Sequence, residues 1–167
     1  MTPNLEQEAI KITYEIGRVV FVGALAVNHY SSYRTTKDID LAMAGPLDEQ
    51  KLVHLGYARW SDSKETSWLS PRGIKVDFYT RDVGRIPVTW ILDHAVQVKL
   101  GKKKEIKVIC LEGLMLAKHR AGRTTDVADL RQLMTRRGGN IDWNLMAEIA
   151  EPQEIAELRK ISKALAR

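Results

Sequence analysis

Cysteine is nearly missing from this chain of 167 residues: Cys110 stands alone. A disulfide framework and a cysteine-bound zinc site are thereby excluded, a pattern typical of reducing compartments. Long apolar runs are missing as well. The longest, Val19 to Val27, is about half of the roughly 20 residues that a membrane-spanning helix needs. Residues 1–6 carry neither the basic nor the apolar stretch of a secretory signal. A cytoplasmic protein with no membrane partner is the expectation. His29, His54, His94 and His119 show no metal-ligand spacing, and no internal repeat is visible. Composition also excludes collagen-like, low-complexity and disordered chains.

What remains is an ordinary globular composition, 44% hydrophobic and 28% charged, with a formal charge of +5. That excess permits an anionic partner without selecting one. The length suits one domain, able to bury roughly 68–70% of its unfolded surface. Apolar spacing predicts a helix over 4–17, with Asn4 as its N-cap and Gly17 as its stop. A buried strand follows at 19–22, a short helix at 24–30 and a second strand at 38–43. A helix at 48–55 and strands at 57–61, 66–70 and 74–80 come next. Two short strands are expected within 99–110, around the turn Gly101-Lys102-Lys103-Lys104. Helices are then predicted at 111–121, 125–137, 142–150 and 152–166, punctuated by Gly122, Gly138-Gly139 and Pro152. The fold class is therefore α/β (α+β), a mixed sheet flanked by helices. A soft boundary near 110 separates an α/β core, 1–110, from a C-terminal helical segment, 111–167, packed on it as one compact unit.

The chemistry concentrates in three places: Phe21-Val22-Gly23-Ala24, Lys37-Asp38-Ile39-Asp40-Leu41 and Lys75-Val76-Asp77-Phe78. Alternation along a strand puts Asp38 and Asp40 on one face and Ile39 and Leu41 on the other. Aspartate is disfavoured in strands, so two on one face need a reason. One reading is a solvated strand face, with Asp77 capping or pairing with Lys75 or Arg81. The other is a two-metal site at a sheet edge: Asp38, Asp40 and Asp77 would hold two Mg²⁺ or Mn²⁺ ions, one gripping nucleotide phosphates and the other lowering the pKa of an attacking hydroxyl. Gly23, ending a strand before a short helix, would let backbone N–H groups approach a phosphate.

A glycine, then Asp-x-Asp in an apolar strand, then a third Asp on a later strand resembles the nucleotidyltransferase superfold of the DNA polymerase β-like group. More narrowly, Gly-Ala-Leu-Ala-Val-Asn-His-Tyr at 23–30 and Tyr-Arg-Thr-Thr-Lys-Asp-Ile-Asp-Leu at 33–41 are similar to small nucleotidyltransferases related to abortive-infection toxins. The likeness continues through Leu111 to Lys118, Arg123 and Asp126-Val127-Ala128-Asp129-Leu130, so it spans roughly 18–135. It implies that Gly23 and Ala24 border the phosphates and that Asp38, Asp40 and Asp77 bind metal and carry catalysis. It further implies that Lys118 touches the triphosphate, with Asp126 or Asp129 completing the pocket. Arg34 matches an arginine that often precedes the motif, and Arg34, Lys37, Lys118 and Arg123 would gather around the aspartates. Ala24 departs from the usual Gly or Ser; it keeps a backbone N–H but offers no hydroxyl to a phosphate.

The activity this implies is transfer of a nucleoside monophosphate from a nucleoside triphosphate, with release of pyrophosphate. The acceptor would be RNA or tRNA, a protein or a small molecule, and a cognate antitoxin is a candidate partner. The alternative is a non-catalytic nucleotide- or partner-binding component of a toxin–antitoxin-like pair. Without the likeness, Lys118 and Asp126 read as a surface ion pair stapling a helical hairpin. His29 is expected to be packed. Trp60, Trp68, Trp90 and Trp143 read as core or groove lining, with base stacking by Trp60 and Trp68 as a minority alternative.

Overall fold

The computed structural model describes residues 4–32, 34–60, 66–100 and 104–166. Helix α1, Leu5–Ile16, starts where the Asn4 side chain accepts hydrogen bonds from the backbone N–H groups of Glu6 and Gln7, and it buries Ala9 and Ile12. Strand β1, Val19–Val22, is buried along its whole length. It runs directly into α2, Gly23–Tyr30. Strand β2, Asp38–Met43, then precedes α3, Glu49–His54, which Asp48 caps. Strands β3, Ala58–Arg59, and β4, Ser67–Leu69, are shorter than their expected spans, and β5 is Lys75–Tyr79. Residue 61 of the expected third strand, and Lys102 and Lys103 of the lysine turn, lie outside the described residues.

Residues 82–98 hold what the sequence pattern did not announce. A small hairpin, β6 at Asp82–Val83 and β7 at Ile86–Pro87, leads into α4, Val88–Asp93. Six residues of Val-Thr-Trp-Ile-Leu-Asp show no helical period, and their β-branched and aromatic content argues for a strand. Burial of Val88, Ile91 and Leu92 decides otherwise. Strand β8, Val96–Leu100, begins earlier than expected and pairs antiparallel with β9, Lys104–Val108. Three helices after residue 110 agree closely with expectation, α5 Leu111–Ala121, α6 Thr124–Arg137 and α8 Pro152–Leu165, whereas α7, Trp143–Ala147, is shorter than the expected 142–150.

The main sheet is mixed, in the order β3-β4-β5-β2-β1-β9-β8. Strands β1 and β2 pair antiparallel, whereas β2–β5 and β1–β9 are parallel. Strands β1, β2 and β5 are therefore interior, so the aspartates sit on central strands and not at a sheet edge as expected. Residues buried on these strands continue without a break into Leu114, Met115, Leu116, Leu133 and Met134 of the later helices. One hydrophobic cluster spans both sides of residue 110.

A second tie is polar. Arg120 on α5 grips Glu154 on α8 with two bonds of 2.8 Å, and its remaining donors reach the carbonyls of Gly84 (2.8 Å) and Ile149 (2.9 Å). This bidentate bond, helped by the Glu151 N–H against the cost of burial, pulls the Glu154 carboxyl down to about 2 from its ordinary 4.5. A carboxyl depressed on folding stabilises the protein above its unfolded value and loses that contribution as pH falls from 4.5 towards about 2. Urea unfolding should accordingly show Glu154→Gln costing about 2 kcal/mol at neutral pH. The variant should also lose less stability than the wild type between about pH 6 and about pH 3. Parallel losses would contradict this assignment.

Candidate active site

The parallel register of β2 and β5 sets Asp38 beside Lys75, Asp40 beside Asp77 and Ala42 beside Tyr79. Ile39, Leu41, Val76 and Phe78 are fully buried in the core, so alternation turns Asp38, Asp40, Lys75, Asp77 and Tyr79 to the opposite face. Ser67 stands across from Asp77 on the other side, and its hydroxyl donates to Asp77 Oδ1. Lys75 Nζ reaches Asp77 Oδ2 at 3.1 Å. Of the two pairings anticipated for Asp77, the one with Lys75 is present.

Burial pushes the Asp40 carboxyl up, and the neighbouring carboxylates of Asp77 and Asp38 push it further. The Tyr79 phenol is pushed up to about 12 by burial and then by Asp40 and Asp77. Gly23 explains how Asp40 fits. Val22 pairs with Asp40, and the chain turns from β1 into α2 at Gly23 with φ of 63°. A Cβ there would sit 3.0 Å from Asp40 Cγ and collide with Oδ2. Glycine is needed for the conformation and for the space alike.

Opposite the aspartates, α5 and α6 contribute a chain of alternating charges. Lys118 Nζ lies 2.9 Å from both Asp126 Oδ1 and Asp129 Oδ2. Arg34 Nη1 joins Asp129 Oδ2 at 2.9 Å, and Arg123 Nε joins Asp126 Oδ2 at 2.6 Å. Lys118, Asp126 and Asp129 are only 7%, 1% and 3% exposed, so the alternative of a surface staple is replaced by a buried network. Burial works to raise Asp126, but hydrogen bonds from Arg123 and Lys118 outweigh it and hold the carboxyl below its ordinary value. Arg34 is itself fixed through its backbone, which exchanges hydrogen bonds of 2.7 and 2.9 Å with the Asn28 side chain.

Between the two halves lies a cleft of about 390 Å³. Gly23, Ala24, Arg34, Asp38, Asp40, Asp77, Lys118 and Asp126 line it, as do Lys75, Tyr79, Thr36 and Arg123. Asp129 stands behind the wall, bonded to Arg34 and Lys118. Lys37 is exposed and is not brought to the cleft. Sequence reasoning had no site role for Lys75 or Tyr79, although both share the two-residue alternation of Asp77. Ser67 carried no such signal, because only the pairing of β4 with β5 brings it to Asp77. His29 is exposed, edge-on to Tyr30, and not packed as expected. Trp68 is core, with the Arg59 guanidinium 5.1 Å over its ring, and neither it nor Trp60 lines the cleft.

The donor set fits a hard divalent cation. Asp40 is crowded by two carboxylates of like charge, which such an ion would relieve. Among the described residues no three His, Cys, Asp or Glu side chains converge into a ready-made cage. Mg²⁺ does not require one, since it is commonly held by one or two carboxylates together with substrate phosphates.

No family model and no curated protein matches the sequence. Among solved structures, the chain is similar to an antigenic nucleotidyltransferase-like protein from Paracoccidioides brasiliensis. The two share 16% identity at a TM-score of 0.55, over 96% of this chain and 89% of that one. The fold is nucleotidyltransferase-like. At this identity the likeness is one of fold. In the nucleotidyltransferase-like fold of this chain, the aspartates stand on the central strands and the Lys118 network closes the site from the helical side.

Removing Lys118 tests that closure. Lys118→Met leaves two carboxylates buried without their shared cation, and should cost about 3–5 kcal/mol in chemical unfolding. Adding Asp129→Asn should recover part of the loss. A cost below about 1 kcal/mol would mean that the network is solvated and not buried.

Proposed function

We propose that this protein is a metal-dependent nucleotidyltransferase, moving a nucleoside monophosphate from a nucleoside triphosphate to an acceptor and releasing pyrophosphate. The observation that carries this reading is the aspartate face itself. Asp38, Asp40 and Asp77 stand on adjacent central strands of a nucleotidyltransferase-like fold, across a cleft from Lys118, Arg34 and Arg123. A strand face of this kind is costly without a ligand, and the facing cations suit a polyphosphate.

Asp38 and Asp40 would hold Mg²⁺ or Mn²⁺, which supplies charge neutralisation of the phosphates when bound. Arg123, whose side chain is 75% exposed although bonded to Asp126, would contact the triphosphate, while Lys118 is held in the wall. The backbone N–H groups at Gly23 and Ala24 open α2 towards the same cleft. The acceptor hydroxyl attacks the α-phosphorus, and the bond from that phosphorus to the bridging oxygen breaks. Pyrophosphate leaves with the bonding pair, and the hydroxyl proton passes to Asp77, whose orientation Ser67 and Lys75 fix. Most of the rate gain on this account comes from positioning and charge placement. RNA or tRNA, a protein and a small molecule stay in the proposal as acceptors. Pairing with an antitoxin rests on the motif resemblance alone.

The test uses triphosphates labelled at the α or the γ phosphorus, incubated with the protein, Mg²⁺ and total RNA or cell lysate. Label from the α position should enter a macromolecular or small-molecule product, and label from the γ position should leave as pyrophosphate. Asp38→Asn with Asp40→Asn should abolish transfer, by at least about 10³-fold given what charge placement contributes. Stabilisation by Mg²⁺ and nucleotide without incorporation into any acceptor would favour the binding-component alternative. Neither stabilisation nor incorporation would overturn the proposal.

A further inference from the structure

Asp77 is already occupied. Its Oδ2 accepts from the Lys75 ammonium at 3.1 Å and its Oδ1 accepts from the Ser67 hydroxyl. A divalent ion on Asp77 would have to share the carboxylate with the Lys75 ammonium, setting two cations side by side. Nor is Lys75 a loose arm that happens to have settled there. It lies two residues before Asp77 on β5, so alternation puts it on the aspartate face whatever its rotamer. Asp38 pairs with it from β2 and Leu69 from β4, and its side chain is only 26% exposed. The Arg123 side chain across the cleft, by comparison, is 75% exposed.

We propose that Lys75 is a built-in cation of the cleft: its ammonium takes the place of a second metal ion beside Asp77, so that a single divalent ion, held by Asp38 and Asp40, enters with the nucleoside triphosphate. This inference rests on the nucleotide-binding reading above. Three observations converge on it. The strand register aims Lys75 at the carboxylates, its ammonium is bonded to Asp77, and among the described residues no three carboxylates converge into a metal cage. An ammonium has three donors on one compact charge. One hydrogen serves Asp77, which leaves the others for a non-bridging oxygen of the α-phosphate. Lys75 is then a catalytic residue, since it touches the reacting phosphate as well as the carboxylate beside it.

The experiment counts metal ions directly. Mn²⁺ bound per chain is measured by electron paramagnetic resonance in the presence of a non-hydrolysable α,β-methylene triphosphate. Wild-type protein should bind one Mn²⁺ with each nucleotide. Lys75→Met, checked for folding by thermal melting, should bind two, and adding Asp77→Asn should return the count to one. Lys75→Arg keeps the charge and should stay at one. Two ions in the wild type, or one in both wild type and Lys75→Met, would overturn the role of Lys75 while leaving nucleotide binding intact. No nucleotide-dependent Mn²⁺ at all would overturn the nucleotide reading, and this inference with it. Should Lys75→Met fail to fold, the wild-type count and Lys75→Arg still decide, because two ions in either contradicts the proposal.

Discussion

Asp40 and Asp77 face each other across the parallel pair β2–β5, with Asp38 one alternation away on the same face. Directly opposed like charges destabilise a sheet. At a separation of roughly 5 Å and an effective dielectric constant of about 20, the opposed pair Asp40–Asp77 would repel by about 3 kcal/mol before the Lys75 ammonium offsets it. That is a large term beside the total stability of a domain of this size, which runs to about 5–15 kcal/mol. The fold tolerates it because the opposite face of the same strands is wholly committed to the core, through Ile39, Leu41, Val76 and Phe78. The strands cannot slip by one residue to relieve the aspartates without bringing those side chains out of the core.

The surrounding residues follow from that constraint. Gly23 has no side chain because the Asp40 carboxylate occupies the space where one would go. Ser67 and Lys75 take up Asp77, which leaves Asp40 as the buried carboxylate with the strongest like-charge crowding around it. Across the cleft, Lys118 sits between Asp126 and Asp129, and the outer arginines Arg34 and Arg123 complete a chain that ends in cations at both sides. The strand wall is thus anionic, while the helical wall alternates in charge, with three cations set against the carboxylates of Asp126 and Asp129. The hairpin β6–β7 also reaches this region: Gly84 lines the cleft and lies so near Ala117 that a Cβ would come within 3.3 Å of its Cα.

Where local chemistry dominates, the structure was legible in the sequence. The Asn4 cap, the continuous apolar run of β1 and the alternation of β2 each have a short-range cause, and these elements stand where the pattern predicts. The cleft was legible through the spacing of Gly23, Asp38, Asp40 and Asp77, and all four line it. What could not be read depends on pairing between distant strands and on burial. No local feature tells that Ser67 would meet Asp77, or that Lys118 and Asp126 would be buried and not solvated. Helix α4 was hidden for a related reason, since six residues are too few for a helical period and tertiary burial overrides their strand propensity. Lys37 differs from the other cations named from the sequence. The resemblance implied a place near the aspartates, but Lys37 precedes the first residue of β2, is exposed and does not line the cleft.

On the proposed function, the aspartate face binds a divalent ion together with a nucleoside triphosphate. A crystal grown with Mn²⁺ and a non-hydrolysable triphosphate tests it most directly, because manganese can be located by its anomalous scattering. An anomalous peak ligated by Asp38 and Asp40 is expected, with the triphosphate running from Gly23 towards Lys118 and Arg123. A nucleotide bound elsewhere, or a cleft in which neither Asp38 nor Asp40 touches the metal, would contradict it.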